Sequence, residues 1–194
     1  MIDYRSIKVT KGKGKVKILT NPSSYELIGK GCQGAVFKLS EDRCVKVFAS
    51  SKHRSREESV LRMAKGSSFF PKFYEAGEYY IVMELVKGKT LEQFFLEGNK
   101  IPIEMTKQIV HLIKDLKRLN IPRRDPKLRH MILTENNKIK LIDHVNSLNW
   151  TEQPEKLFSG LEKLGLLETF LKQVEEIENE LYLEWKHIMK KKFK

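Results

Sequence analysis

The stretch RRDPKLRHMIL, residues 123–133, sets six ionisable side chains directly before an apolar run: Arg123, Arg124, Asp125, Lys127, Arg129 and His130 precede Met131, Ile132 and Leu133. Such a stretch is either a solvated basic turn or a loop that holds a carboxylate beside cations for work on an anionic ligand. Upstream, LIGKGCQGAV, residues 27–36, places Gly29, Gly31 and Gly34 ahead of Val36 in a GxGxxGxV pattern. Glycines at this spacing let backbone amides fold over phosphates without side-chain obstruction, although a glycine-rich hairpin is equally a plain turn. Lys46 interrupts the apolar CVKVF. In simple alternation it points to solvent. A buried lysine needs a carboxylate partner, and the next segment supplies Glu57 and Glu58.

These residues need elements to hold them. From residue 7 to about 48 the pattern is short and alternating, with IKVT, VKILT, YELIGKG, AVFKLS and CVKVF separated by Gly, Asn-Pro or EDR, which predicts a twisted antiparallel sheet. AVFKLS continues as strand after the glycines. A dinucleotide fingerprint would open a helix there, which argues against that reading. Residues 52–65 switch to helical spacing, with Val60, Leu61 and Ala64 on one side and GSS as the breaker. KFYEAG and YYIVMELV return to strand character around a GEY turn. After KGKT the chain turns helical: TLEQFFLEG is short, and PIEMTKQIVHLIKDLKRLN carries Ile109, Leu112, Ile113 and Leu116 on one face with Pro102 near its start. MIL and KIKLI flank TENN as a small hairpin, so the charged stretch lies on the loop entering it. From Glu155 onward the apolar residues keep helical spacing, acids first and lysines last.

In this order the residues resemble the protein-kinase superfamily: glycine loop, strand lysine, helix glutamate, YYIVMELVKGKTL, RRDPKLRHMIL and KLIDHV arrive as that family's motifs do, from Leu27 to Asp143. The resemblance implies an α+β, two-lobed fold, with an antiparallel-sheet N-lobe over residues 1–86 and a truncated, mainly helical C-lobe over 87–194. It implies that Lys46 binds the α and β phosphates of ATP and is held by Glu57. Glu57 is preferred to Glu58 because Val60 and Leu61 then match the family's apolar helix positions. Asp125 would be the catalytic base, Lys127 the loop lysine beside it, and Asp143 the ligand of Mg²⁺. Met83 would guard the back of the pocket, Glu84 and Val86 would offer backbone groups to adenine, and Cys44 would lie against the ring together with Val36. The expected activity is an ATP-dependent phosphotransferase, a serine/threonine protein kinase or one that phosphorylates itself. A small-molecule or sugar kinase, and a nucleotide-binding module without catalysis, are the alternatives.

Four departures bear on substrate more than on fold. Arg123 replaces the histidine of HRD, His130 replaces the metal-binding asparagine, and the DFG triad reads Asp143, His144, Val145. Imidazole suits softer metals than Mg²⁺, so either Mn²⁺ is favoured or His130 does something else. A similar histidine occurs in the lipopolysaccharide heptose kinases, which this loop resembles. The fourth departure is length: the 51 residues after Asp143 carry no APE-like sequence, so peptide recognition is expected to be reduced or different. Compact kinase-like proteins of bacteria and archaea, the RIO family among them, are similarly truncated, and the chain most resembles the small bacterial serine/threonine kinases. Trp150 is expected to pack beneath the catalytic loop.

Composition narrows the classes. The chain has 194 residues, 40% of them hydrophobic, enough for one globular unit or two small lobes. No apolar run reaches membrane-span length and the N-terminus lacks a signal-peptide core, so a cytoplasmic protein is expected. Two cysteines, Cys32 and Cys44, support neither a disulfide framework nor a zinc site. A net charge of +12 attracts phosphate or acidic partners. Much of it lies in KVTKGKGKVK and KHIMKKKFK, where solvated lysines gather, and nucleic acid is the lesser reading.

Overall fold

The computed structural model describes residues 3–22, 24–122, 125–144 and 154–192. Two compact units form: one runs to Val86 and also takes in Asp143 and His144, and the other begins at Lys87 and includes residues up to Ile142 and the C-terminal helices.

In the first unit, β1 (Lys8–Thr10) and β2 (Lys17–Thr20) make a two-stranded antiparallel ladder of their own. The single sheet expected from residue 7 to 48 is therefore split. Asn21-Pro22 follow β2, and proline has no amide with which to continue a ladder. The main sheet is antiparallel and five-stranded, built from β3 (Leu27–Lys30), β4 (Gly34–Lys38), β5 (Arg43–Phe48), β6 (Phe73–Ala76) and β7 (Tyr80–Glu84) in the order β3-β4-β5-β7-β6. Central β5 is buried from Cys44 to Phe48. Because strand side chains alternate, its two faces serve two clusters. Val45 and Val47 join Ala35, Phe37, Val82, Ile7 and Val16, whereas Cys44 and Phe48 join Ile81, Met83 and Leu61. Leu61 comes from helix α1 (Ser51–Met63), whose buried positions Glu57, Val60 and Leu61 recur at the helical period.

The second unit holds the helices and a small sheet. α2 (Leu91–Leu96) starts at a reciprocal cap in which Thr90 Oγ1 accepts from the Gln93 amide and Gln93 Oε1 accepts from the Thr90 amide. α3 (Ile103–Arg118) buries Met105, Ile109, Val110, Leu112, Ile113 and Leu116 along one face, each worth about 1.5–3 kcal/mol of apolar burial. β9 (Met131–Leu133) and β10 (Ile139–Leu141) form the expected hairpin, and β8 (Lys89–Thr90) adds a third strand that KGKT did not announce. Gln108 of α3 fixes the hairpin, its side-chain amide donating to Asn137 O and its carbonyl accepting from Ile139 N. The C-terminal periodicity resolves into α4 (Glu155–Lys163), α5 (Leu167–Ile177) and α6 (Asn179–Lys192). Gly165 at φ +66° separates the first two. Trp185 of α6 is buried, stacked on Phe170 with Phe158 at its edge. The whole is α+β, sheet in the first unit and helices in the second, consistent with a kinase-like two-lobed fold.

Candidate active site

Lys46 sits in the middle of β5, paired across the sheet with Val36 on one side and Ile81 on the other. It shares a face with Cys44 and Phe48, so its side chain runs beneath α1 rather than to solvent. There its Nζ donates to Glu57 Oε2 at 2.6 Å and to Asp143 Oδ1 at 3.3 Å. Glu57 is 1% exposed and Lys46 8%. Burial alone would pull the Lys46 ammonium down, but the summed attraction of Glu57 and Asp143 outweighs it and holds the group above the ordinary lysine value. Burial pushes the Glu57 carboxyl up, with Lys46 opposing. Glu57 also accepts the backbone amide of His144. Glu58 points elsewhere and pairs with Arg54 and Arg62.

Asp143 is exposed and lies in the left-handed region at φ +62°, a conformation rare for residues other than Gly, Asn and Asp. Two bonds flank it. Ile142 N donates to His130 O at 2.8 Å on one side, and the His144 amide meets Glu57 on the other. The His144 ring is buried, 5.0 Å from the ring of Phe70.

The three glycines differ. A Cβ on Gly34 would stand 2.5 Å from the carbonyl oxygen of Val47 on β5, so the close approach of two strands demands glycine there. Gly29 and Gly31 have room for a Cβ, and neither takes a positive φ. Their identity is not required by the packing of the first unit. Val36 lies against the cluster that contains Cys44 and Met83, and these last two face each other across β5 and β7. Burial pushes the Cys44 thiol up to about 12. The backbone amides of Glu84 and Leu85 donate within the unit, to Lys72 O and Asp42 O. Glu84 and Val86 are half-buried.

In the second unit Asp125 is 3% exposed. Its Oδ1 accepts the backbone amides of Lys156 at 2.6 Å and Leu157 at 3.2 Å, the second and third residues of α4. Pro154, at the N-cap of that helix, offers no side-chain oxygen, so Asp125 does from a distance what an N-cap Asp or Ser does locally. Nothing in the periodicity after Glu155 signals this, since the partner is 31 residues away. Lys127 is half-buried, with its carbonyl accepting from His130 N. Arg129 Nε approaches His130 Nε2 at 3.4 Å, so His130 would have to release Arg129 to offer that nitrogen to a metal. No cluster of three or more His, Cys, Asp or Glu suited to a metal occurs among the described residues. Arg123, Arg124, Val145 and Trp150 lie outside those residues.

No family model matches the chain. It is 31% identical over 132 residues to the Bacillus subtilis protein named "Putative serine/threonine-protein kinase YrzF", covering 66% of this chain and 61% of that one. A Xenopus tropicalis protein named "Hormonally up-regulated neu tumor-associated kinase homolog" is 27% identical over 123 residues, 60% of this chain and 18% of its own length. "Probable serine/threonine-protein kinase zyg-1" of Caenorhabditis briggsae is 28% identical over 128 residues, 59% of this chain and 18% of its own. The chain thus spans about three fifths of the first relative and less than a fifth of the other two. These kinases support a protein-kinase-like family and, at the general level, a phosphotransferase. Among the described residues no helix is long and apolar enough to cross a membrane.

Proposed function

We propose that the chain is an ATP-dependent phosphotransferase that moves the γ-phosphate to a serine or threonine hydroxyl of a protein, itself included. The observation that carries this reading is the buried Lys46–Glu57 pair with Asp143 on the same ammonium. A buried ion pair is a poor way to gain stability; one whose lysine also meets an exposed carboxylate is suited to bind a phosphate and a cation side by side. The donor chemistry fits Mg²⁺, which takes one or two carboxylates and completes its shell with substrate phosphates and water. Bound there, the ion would neutralise charge on the phosphates. Asp143 would hold it, Lys46 would hold the α and β phosphates, and Glu57 keeps Lys46 extended along the face beneath α1. Gly29 and Gly31 leave the loop free of side chains where phosphates approach. Cys44, Met83 and Val36 form an apolar patch suited to the base, with Glu84 and Val86 offering backbone groups at its edge. In the second unit Asp125 would take the hydroxyl proton of the acceptor, and Lys127 would stabilise the transferring phosphoryl group.

A second reading has its own observation. Asp125 already serves two amides of α4, which also suits a nucleotide-binding module in which this aspartate is purely structural. Transfer of labelled γ-phosphate from ATP, with Mg²⁺ and separately with Mn²⁺, decides between them. Label on the wild-type chain or a protein acceptor, lost in Asp143→Asn, is the expected result. ATP binding without transfer to any protein under either metal would leave the second reading standing.

A further inference from the structure

The first basic segment is not a solvated tail. Ile7 and Val16 are buried in the core of the first unit, Thr20 Oγ1 donates to Ser6 O, and β1 and β2 hold the segment between them as a hairpin. At its turn a Cβ on Gly12 would collide with the carbonyl of Lys15, so the chain doubles back more tightly than a side chain permits. Val16 N then donates to Gly31 O at 2.8 Å, joining the hairpin to the glycine loop. Lys8, Lys11, Lys13, Lys15 and Lys17 are all exposed on this frame, and Lys30 lies beside the joint. From Tyr4 to Tyr25 the chain has no carboxylate, and none of these six lysines has an ion-pair partner among the described residues.

We propose that this hairpin is a ridge that binds the phosphate backbone of a double-stranded nucleic acid, an interaction separate from phosphoryl transfer. Three features favour that ligand. The lysines are carried by a fixed backbone, so less ordering entropy opposes binding than for a tail. Tyr4 and Tyr25 pack against the core, so the ridge presents no aromatic face on which unpaired bases could stack. An acidic protein would need an apolar or aromatic anchor at the centre of its footprint. Between Lys8 and Lys17 the apolar side chains Val16 and Val9 lie in or against the core cluster, and exposed Leu19 sits at the open end of the hairpin, beside Lys8 at the bulge and away from the turn that carries Lys11, Lys13 and Lys15.

The test is fluorescence anisotropy of a labelled mixed-sequence duplex of about 20 base pairs, titrated between about 50 and 200 mM salt. The full chain is compared with Lys11, Lys13, Lys15 and Lys17 all changed to Gln, and with the same four changed to Arg. A third variant carries Lys190, Lys191 and Lys192 changed to Gln. The Gln ridge variant is expected to bind at least about tenfold more weakly and to lose about 3 to 4 from the slope of log K against log salt. The Arg variant retains both, which separates charge from any change in folding, and the tail variant keeps most of the slope. Parallel DNA and RNA duplexes show which backbone is preferred. The proposal fails if the chain does not bind duplex, if the Gln ridge variant binds as wild type, or if polyglutamate at equal charge displaces the duplex, which would make the ridge a site for acidic protein.

Discussion

Replacing Asp125 by Asn and by Ala separates the two roles available to that side chain. Its Oδ1 accepts two helix amides, and the carboxylate is buried at the positive end of α4. Asn keeps an oxygen for those amides and loses only the attraction between full charge and helix dipole, about 0.5–1 kcal/mol. Ala removes the acceptor. Losing a cap costs about 0.5–2 kcal/mol, and because the orphaned amides are buried the loss falls in the upper part of the about 1–3 kcal/mol that an unsatisfied buried group costs, so about 2–3 kcal/mol is expected in all. For a chain of this length each kcal/mol lowers the melting temperature by about 2–4 °C. Asn should therefore melt within about 4 °C of wild type and Ala about 5–10 °C below it. Acting as the proposed general base, Asp125 would contribute about 10²–10⁴ in rate, so both variants should then lose phosphate transfer by that factor while still binding nucleotide. Melting curves and labelled-phosphate transfer on the same preparations read both roles. Equal melting of Asn and Ala would refute the capping argument. Transfer retained by Asn would refute the base, leaving Asp125 as a positioning residue only.

Gly31→Ala should leave melting unchanged or raised by up to about 1 kcal/mol, as expected where the backbone is already ordinary, yet weaken ATP binding measured by calorimetry. Gly34→Ala should destabilise by about 1–3 kcal/mol through collision with the Val47 carbonyl; similar melting for the two would contradict the distinction between them. Glu57→Gln should cost about 2–3 kcal/mol in denaturant unfolding, less than the about 3–5 kcal/mol for orphaning a buried charge, because Asp143 still meets Lys46. At pH 8 iodoacetamide should label exposed Cys32 and spare Cys44, whose thiol stays protonated until pH approaches about 12; intact mass should show one adduct, and two would place Cys44 in contact with solvent.

Much of the fold was legible because its signals are local. The hairpin of MIL and KIKLI, the face of α3 and the single buried stripe of α1 each follow from spacing within one element. What sequence could not supply was pairing at a distance. The segments IKVT and VKILT read as strands of the main sheet, yet they form a separate ladder, because alternation predicts a strand without naming its neighbour. The helical run after Glu155 looked continuous because apolar periodicity survives a short break; Gly165 and the residues around Glu178 end helices without disturbing the count. Lys46 was ambiguous from CVKVF alone, since alternation sends a lysine to either face, and only the order of motifs singled it out. The cap from Asp125 to α4 had no local signal except Pro154, an N-cap residue unable to cap.

The two contacts of Lys46 are unequal in a way that bears on how the site would accept its ligands. The bond to buried Glu57 is short, while the contact to Asp143 is longer and its carboxylate is 40% exposed. One ammonium against two carboxylates leaves a net negative charge, and the exposed member of the trio is where a cation would collect it. Water screens that outer contact and not the inner one, so exchange of Lys46 for a metal at Asp143 costs far less than separating Lys46 from Glu57. Asp143 is held ready by its neighbours rather than by its own preference: a left-handed φ disfavours most residues, and the Ile142–His130 and His144–Glu57 bonds fix the backbone on either side. Asp143→Asn tests this directly. It tolerates the same φ and keeps an oxygen toward Lys46, so melting should change by less than about 1 kcal/mol. Metal-dependent tightening of ATP, measured by calorimetry with and without Mg²⁺, should disappear. Tightening that survives the change would place the metal on another ligand and remove Asp143 from the site.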